Sequence, residues 1–471
     1  MSEAVVKRRK TTLDMTQGSI FKNLIVFAIP LALTSLLQLL FNAADIIVVG
    51  QFADPSVSTN AVASIGASHP VVNLLVNFFM GLSIGATVLI AKYFGAKRDK
   101  DLSETVHTAI LVSLIAGVIL TIVGVIFTED ILILMGTPGG VLPLAAKYLR
   151  IYFAGNVITM LYNFASAILR AVGDTKRPLI FLAISGVANV GFNLFFVLVC
   201  RMDVEGVALG TIISQAIASV LTIACLMKEK GSHRLVIKNL RIHKDKLLKI
   251  LHLGIPAGVQ SSLFSLSNIF LQSGINSFGE ITVAGNAAAS NIEGFVYVCM
   301  NSFHHAALSF VGQNLGAGKA DRIKKSLFVA PLCAGVVGLL LCGIVLLLRE
   351  PLLGLYLTNP DALGEGIVRV FNVIPVYCLC GVMDAISGVI RGAGFSMFPT
   401  IVNLLGVCAF RILWLKTLFE TTLHSIPGLF LCYPISWVLV IICLVSFYFI
   451  KARKVIQEQC QTNLEYKLHH Q

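Results

Sequence analysis

Apolar runs of about 20 residues, each long enough to cross a bilayer as a helix, alternate with short polar stretches from Ile20 to Ile450. Their starts near residues 20, 60, 104, 143, 179, 206, 249, 283, 327, 364, 399 and 426 predict twelve helices, six in each half of the chain. Only a helix satisfies its own backbone hydrogen bonds over such a span in lipid, so the pattern predicts an all-α integral membrane protein. The first six helices occupy 20–227 and the last six 249–450, flanked by terminal segments 1–19 and 451–471.

Charge on the polar stretches alternates. Lys7 to Lys22, Lys92 to Lys100, Arg170 to Arg177, Lys228 to Lys249, Lys319 to Lys325, Arg391 and Lys451 to Lys454 carry most of the basic residues. Between them fall Asp54, Glu129 with Asp130, Asp203 with Glu205, Glu280, Asp361 with Glu365, and Glu420. Because Lys and Arg collect in cytoplasmic loops, both termini are expected to be cytoplasmic. The basic start, Lys7-Arg8-Arg9-Lys10, leads into the first apolar run with no small-residue cleavage site near its end, so that run reads as a retained span. Residues 228–248 form the one long connection, a basic cytoplasmic linker expected to lie solvated against lipid headgroups.

The two halves repeat each other at an offset of about 221 residues. Leu169-Arg170-Ala171-Val172-Gly173, followed by Pro178, returns as Ile390-Arg391-Gly392-Ala393-Gly394, followed by Pro399. Phe94-Gly95-Ala96 answers Leu315-Gly316-Ala317, Gly206 with Ser214 answers Gly428 with Ser436, and Ile29-Pro30 answers Ile255-Pro256. With an even number of spans per half, both halves enter the membrane from the same side. The expected architecture is two six-helix lobes related by a pseudo-two-fold axis along the membrane normal, with a transport pathway between them.

Composition narrows the function. At 56% hydrophobic and 13% charged, the chain cannot cover a soluble surface. Its net charge of +12 is scattered between apolar segments, which argues against nucleic acid as a partner. Nearly all of the eleven cysteines lie inside apolar runs, so neither disulfide nor metal chemistry is expected. No phosphate-binding Gly-x-x-x-x-Gly-Lys-Ser/Thr loop occurs, which argues against an ATP-driven pump, and no nucleophile with a base at bilayer depth suggests an enzyme.

Ionisable and amide side chains inside the spans cost on the order of 3 kcal/mol each for a charge, so each is a candidate functional residue. In the first helix Gln38, Asn42 and Asp45 share one face, with Pro30 as a candidate bending point. A carboxylate flanked by amides suits a proton or a sodium ion. Asn189 and Asn193, one turn apart in the fifth helix with Ser185 a turn earlier, form a second polar face. In the second half Asp384 stands seven residues before Arg391, as Asn163 stands seven before Arg170. Asp384 either titrates or holds a fixed bond, Arg411 being one candidate partner. Arg411 itself needs a carboxylate, carbonyls or a water-filled cavity. Gln260, Asn268 and Gln272 line one stripe of the seventh helix, and Asn286, Asn291, Glu293 and Asn301 make the eighth the most polar. His304-His305 are expected near the cytoplasmic end of that helix, in the interface, with a proton relay as the alternative reading.

The repeated Leu/Ile-Arg-x-x-Gly segment followed by Pro, the early Ile-Pro helix with its late Asp, and the basic Gly-Ala loops, Gly-Ala-x-Lys at Gly316 and Gly-Ala-Lys-Arg at Gly95, together resemble the multidrug and toxic compound extrusion (MATE) family. The resemblance runs from about residue 15 to about residue 450. It implies two lobes forming a V and cation-coupled antiport of organic cations out of a bacterial cell across its inner (plasma) membrane. The family's coupling carboxylate falls on Asp45, and its fifth-helix Asn and Asp pair falls on Asn189 and Asn193, so the second member is neutral here. The acidic residue that some members carry early in the seventh helix has no counterpart, Gln260 to Phe264 being uncharged.

These readings combine into one expectation. The chain is an antiporter exporting amphipathic, often cationic small molecules against an inward proton or sodium gradient, acting as a monomer in the bilayer without a cofactor. Asp45, Asn189 and Asn193 are the expected cation-coupling residues, with sodium at Asp45 as the one metal in view. Gln38, Asn42, Asn163, Gln260, Asn268, Gln272, Glu293, Asp384 and Arg411 are the expected pathway residues. The rival readings are a flippase for a lipid-linked precursor, which would show a more basic cavity, a membrane enzyme or scaffold, and an ion channel.

Overall fold

A computed structural model describes residues 12–52, 58–423 and 425–469, and among them all regular structure is helical. The basic cluster Lys7 to Lys10 and the acidic loop residue Asp54 lie outside the described residues. Six spans make the first half: α1 (Ile20–Phe52), α2 (Ser58–Ala96), α3 (Asp99–Ile126), α4 (Leu142–Ala154 and Asn156–Ala171), α5 (Lys176–Val199) and α6 (Val204–Lys228). The second half has α7 (Lys244–Asn276), α8 (Glu280–Gly316), α9 (Ala320–Leu347), α10 (Pro360–Val376 and Cys378–Gly392), α11 (Met397–Phe419) and α12 (Ile426–Glu465). Nine of these are apolar enough to span a bilayer as single helices, and α4 and α10 qualify as bent pairs, at 50° and 44°. The twelfth, α8, has 37 residues but carries Asn286, Glu293 and Asn301, and its polarity disqualifies it on hydropathy alone. Large apolar side chains such as Val187 and Ile450 are 75% and 83% exposed, a surface that only lipid can cover.

The repeat becomes a symmetry in the packing. Helix α1 packs on α8 as α7 packs on α2, and α2 meets α8 at the centre. A Cβ on Gly95 would stand 1.9 Å from the Gln313 carbonyl oxygen, and one on Gly316 would stand 1.9 Å from that of Lys92. Gln313 is to Lys92 as Gly316 is to Gly95 in the repeat, so the two contacts are reciprocal, as a two-fold relation requires. Both are backbone against glycine, an approach closed to any larger residue.

The Arg-x-x-Gly motif has a local cause. Gly173 and Gly394 take φ of +97° and +94°, ending α4 and α10 in left-handed turns. In each turn the glycine N–H bonds the arginine carbonyl, at 2.9 and 2.8 Å, and the next N–H bonds the residue before the arginine. Pro30 and Pro256, by contrast, sit inside single helices, and the sharp bends fall instead at Gly155 and Tyr377, equivalent places in the two halves.

The long connection is more structured than its composition suggests. Helix α7 begins at Lys244, within the expected linker, and residues 229–243 pack on the first half. The Val236 amide donates to His107 Nε2 at 3.1 Å, the His107 Nδ1 lying 2.7 Å from the Ser103 carbonyl, and the buried Lys246 ammonium bonds Asp101 at 2.5 Å. Pairing the basic side chains with α3 carboxylates lowers the cost of burying them, so the segment docks instead of lying free at headgroup level. At the other terminus the C-terminal helix folds back, Asn463 donating to the Leu315 carbonyl at 2.9 Å.

Candidate functional site

Polar side chains inside the spans gather in two places. The first is enclosed in the N-terminal lobe. Asp45, late in α1 and 6% exposed, accepts from the Asn193 side-chain amide at 2.5 Å and from the Thr211 hydroxyl at 3.3 Å. Asn189 accepts from Asn193 and donates to Thr211, both at 3.4 Å, closing a ring of four side chains from α1, α5 and α6. Close approach of α6 makes it possible, since a Cβ on Gly210 would stand 2.1 Å from Asn193 Oδ1. That oxygen is buried without a hydrogen-bond donor. A carboxylate beside an orphaned amide oxygen is an acceptor-rich environment, the chemistry that a proton or a small hard cation satisfies.

The second is a central cavity of about 770 Å³ between the lobes. Its walls reach Thr87, Arg170 and Ser309 toward the basic-loop end, below which α2 and α8 touch at Gly95 and Gly316. Toward the opposite end they reach Gln272, Ile275 and Asn286. The N-terminal segment reinforces the closed end: the Leu13 amide bonds the Gly173 carbonyl of one lobe, and Met15 bonds Gln313 and Asn314 of the other.

The structure divides the expected α1 stripe. Gln38 lines the cavity, Asp45 is sealed into the lobe two turns further on, and Asn42 is exposed outside the cavity lining. Asn163, Gln260, Asn268, Gln272, Glu293, Asp384 and Arg411 all line the cavity, whereas Asn189 and Asn193 belong to the Asp45 cluster. Several have committed partners. Glu293 is held by both ends of the Arg369 guanidinium, Nε donating to Oε1 at 2.7 Å and Nη2 to Oε2 at 2.6 Å, while Nη1 donates to Asn286. Asn286 in turn donates to Gln272 at 3.3 Å. Gln260 accepts from Arg391 at 2.5 Å. Asp384 accepts from Asn301 at 3.1 Å, and so does not pair with Arg411, which donates to the Ser436 hydroxyl at 3.3 Å.

His304 and His305 are not interfacial. Both line the cavity, and His304 is buried with its Nδ1 2.8 Å from the Asp384 carbonyl, because α8 passes through the centre of the molecule and its middle is covered from all sides. Sequence reasoning also passed over Thr211, Arg369, Tyr433 and Trp437. Arg369 carried a visible signal, a lone charge between Val368 and Val370 in an apolar stretch. For Thr211 the hint was weaker, a polar residue one turn before the cluster Ser214-Gln215 of α6.

Comparison with known proteins matches the MatE family model to residues 30–195 and 256–414. A probable multidrug resistance protein of Bacillus subtilis, YoeA, is 27% identical over 458 residues, 96% of this chain and 98% of that protein. A second, YpnP, is 29% identical over 400 residues, 84% of this chain and 88% of its own length. Among solved structures, the outward-facing conformation of a multidrug resistance MATE family transporter of the MOP superfamily superposes with a TM-score of 0.86, covering 97% of this chain and all of that one at 22% identity.

Proposed function

The chain belongs to the MatE family of membrane transporters, and from that premise we propose that it is an antiporter, exporting amphipathic organic compounds against an inward proton or sodium gradient. The observation that carries this reading is the separation of the two polar sites. The cavity sits between the lobes where cargo can be exposed to one side at a time, and Asp45 with Asn189, Asn193 and Thr211 sits inside one lobe. A cation bound at Asp45 favours whichever arrangement of α1, α5 and α6 completes its coordination, and cargo favours the other. Each ligand shifts the equilibrium only by its difference in affinity for the two states. With the basic turns cytoplasmic, the described arrangement is closed toward the cytoplasm and presents the cavity outward. On the same reading the chain is a multi-pass protein of a bacterial plasma membrane with both termini cytoplasmic, one chain sufficing for transport and no cofactor being required.

The test is efflux from proteoliposomes under an imposed pH gradient or an imposed sodium gradient, run with a cationic and an anionic dye in parallel. Whichever dye is carried, the gradient should accelerate it in the native protein and not in Asp45→Asn, which should insert and fold. Equal acceleration in that variant would remove Asp45 from coupling.

One observation favours the flippase reading as a second possibility. A lipid-linked precursor needs a basic cavity, and the structure adds Arg170, Arg369 and Arg391 to the Arg411 visible from sequence.

A further inference from the structure

We propose that the C-terminal-lobe wall of the cavity is an anion subsite built on Arg411. The cargo would then be an aromatic amphiphile bearing a fixed negative group such as a sulfonate, carboxylate or phosphate. This deepens the transport reading above and rests on it.

Charge is the first observation. The cavity is lined by four arginines, Arg170, Arg369, Arg391 and Arg411, against two carboxylates, Glu293 and Asp384, which leaves two positive charges in excess. The excess is unevenly spent. Arg369 closes a bidentate pair with Glu293, and the Asp384 side chain bonds Asn301. Among the described residues none of Arg170, Arg391 and Arg411 has a carboxylate within ion-pair distance. Arg170 bonds the Ser166 carbonyl, and Arg391 bonds Gln260 and Thr400. Burying a cation without a counter-ion is costly, and such charges are kept in membrane interiors where they meet a substrate or an ion.

Arg411 is held by a single side-chain oxygen. It is 5% exposed, yet its Nε and Nη2 both donate to one oxygen, the Ser436 hydroxyl, at a long 3.3 Å each. A guanidinium has five N–H donors, so most of its capacity is unused by the described residues. Its guanidinium carbon lies 4.2 Å from the centre of the Tyr433 ring and 5.8 Å from that of the Trp437 ring. Cation–π contact of this kind holds the guanidinium without using its N–H donors, which stay available for the two parallel bonds that carboxylates, sulfonates and phosphates accept.

The backbone and the neighbouring rings fit the same role. Arg411 lies on a five-residue α-helical stretch of α11, Phe410–Trp414, between two π-helical stretches, Leu404–Ala409 and Leu415–Phe419. Widened turns of that sort recur at functional positions in helices. Tyr377, Tyr433 and Trp437 also line the cavity, with ring centroids 5.6 to 5.7 Å apart in edge-on contacts. Beside an arginine edge they supply the apolar, flat surface that an aryl group would cover.

The chain has two tryptophans, Trp414 and Trp437, so Trp414→Phe makes Trp437 a reporter inside the subsite. In that background the purified protein in detergent would be titrated with 4-nitrobenzenesulfonate and with 4-nitrobenzyltrimethylammonium, which quench tryptophan and differ in the sign of their charge. Binding of the sulfonate should be at least about tenfold tighter, and Arg411→Gln should weaken it by about tenfold or more, with no comparable effect on the ammonium. Equal or tighter binding of the ammonium overturns the proposal, and this comparison does not require the Arg411 variant to fold.

The same pair in gradient-loaded proteoliposomes separates the two levels of the argument. Gradient-driven movement of the ammonium alone leaves transport standing and removes the anion subsite. Failure of both probes to move, with Arg411-dependent sulfonate binding retained, removes the transport reading and keeps the subsite. A third arm uses vesicles containing a short-chain fluorescent phosphatidic acid. Arg411-dependent flipping of that lipid without sulfonate binding assigns the anion to a headgroup and overturns the small-molecule cargo.

Discussion

Replacing Arg369 with methionine would leave the Glu293 carboxylate buried beside an empty place. In the structure the two side chains are 7% and 6% exposed and joined by bonds of 2.7 and 2.6 Å, with Asn286 as a third partner. Loss of one member of a buried pair costs about 3–5 kcal/mol, because the other keeps its desolvation without its partner. A chain of 471 residues, at roughly 2.1 cal/mol/K each, unfolds with an entropy of about 1 kcal/mol/K, so the thermal midpoint in detergent should fall by about 3–5 °C. Glu293→Gln alone should also lower it. The double variant Glu293→Gln/Arg369→Met carries no net buried charge and should recover at least about 2 kcal/mol of the summed loss. Midpoints for the four proteins of this cycle measure the coupling. If both single variants melt within about 1 °C of the native protein, or the double loss equals their sum, the pair is not closed. Glu293 then returns as a carboxylate available to cargo.

Two further predictions concern packing and the long connection. A Cβ on Gly258 would stand 2.2 Å from the Phe78 carbonyl oxygen, so Gly258→Ala must separate α2 from α7, and its midpoint should drop by about 1–3 °C; an unchanged midpoint would show that the helices do not approach this closely. Burial holds the His233 imidazole below its ordinary 6.5, despite Glu229 beside it. The folded protein therefore binds that proton less readily than the unfolded chain, so this stability is full above 6.5 and declines as pH falls through the window just below it. Acidification across that window should lower the native midpoint more steeply than that of His233→Gln, and parallel slopes would remove His233 from the acid response.

Much of the scaffold was legible. Helix starts expected at 143, 206, 364 and 426 lie within four residues of Leu142, Val204, Pro360 and Ile426, because hydropathy is a property of consecutive residues and the membrane requirement acts on it directly. The recurring Arg-x-x-Gly had a cause readable in kind, since a glycine just past a helix is the residue that takes positive φ. The sites were legible only as a set of costly residues. Asp45, Asn189 and Asn193 did meet, their helical spacing already placing the two amides on one face. The third neighbour, Thr211, comes from α6 and sets no pattern with them in sequence.

Departures from expectation share one cause. His304 was placed at an interface from its distance along α8, but depth in the membrane depends on how α8 crosses between the lobes. Asp384 and Arg411, a plausible pair when read as opposite charges in neighbouring spans, turn to Asn301 and to Ser436. Arg170 and Arg391 read as loop charges that set topology, yet both line the cavity floor and walls.

Sequence alone determined the twelve spans, the two halves and the short roster of polar residues that a membrane interior makes expensive, since all three follow from local composition and from self-similarity along the chain. Tertiary structure decided which members of that roster neutralise one another. Glu293 and Arg369 are 76 residues apart, and Asp45 and Thr211 are 166 apart. Whether such groups touch is set by the crossing of helices, to which one-dimensional spacing is blind. The excess positive charge of the cavity emerges only after those pairs have cancelled.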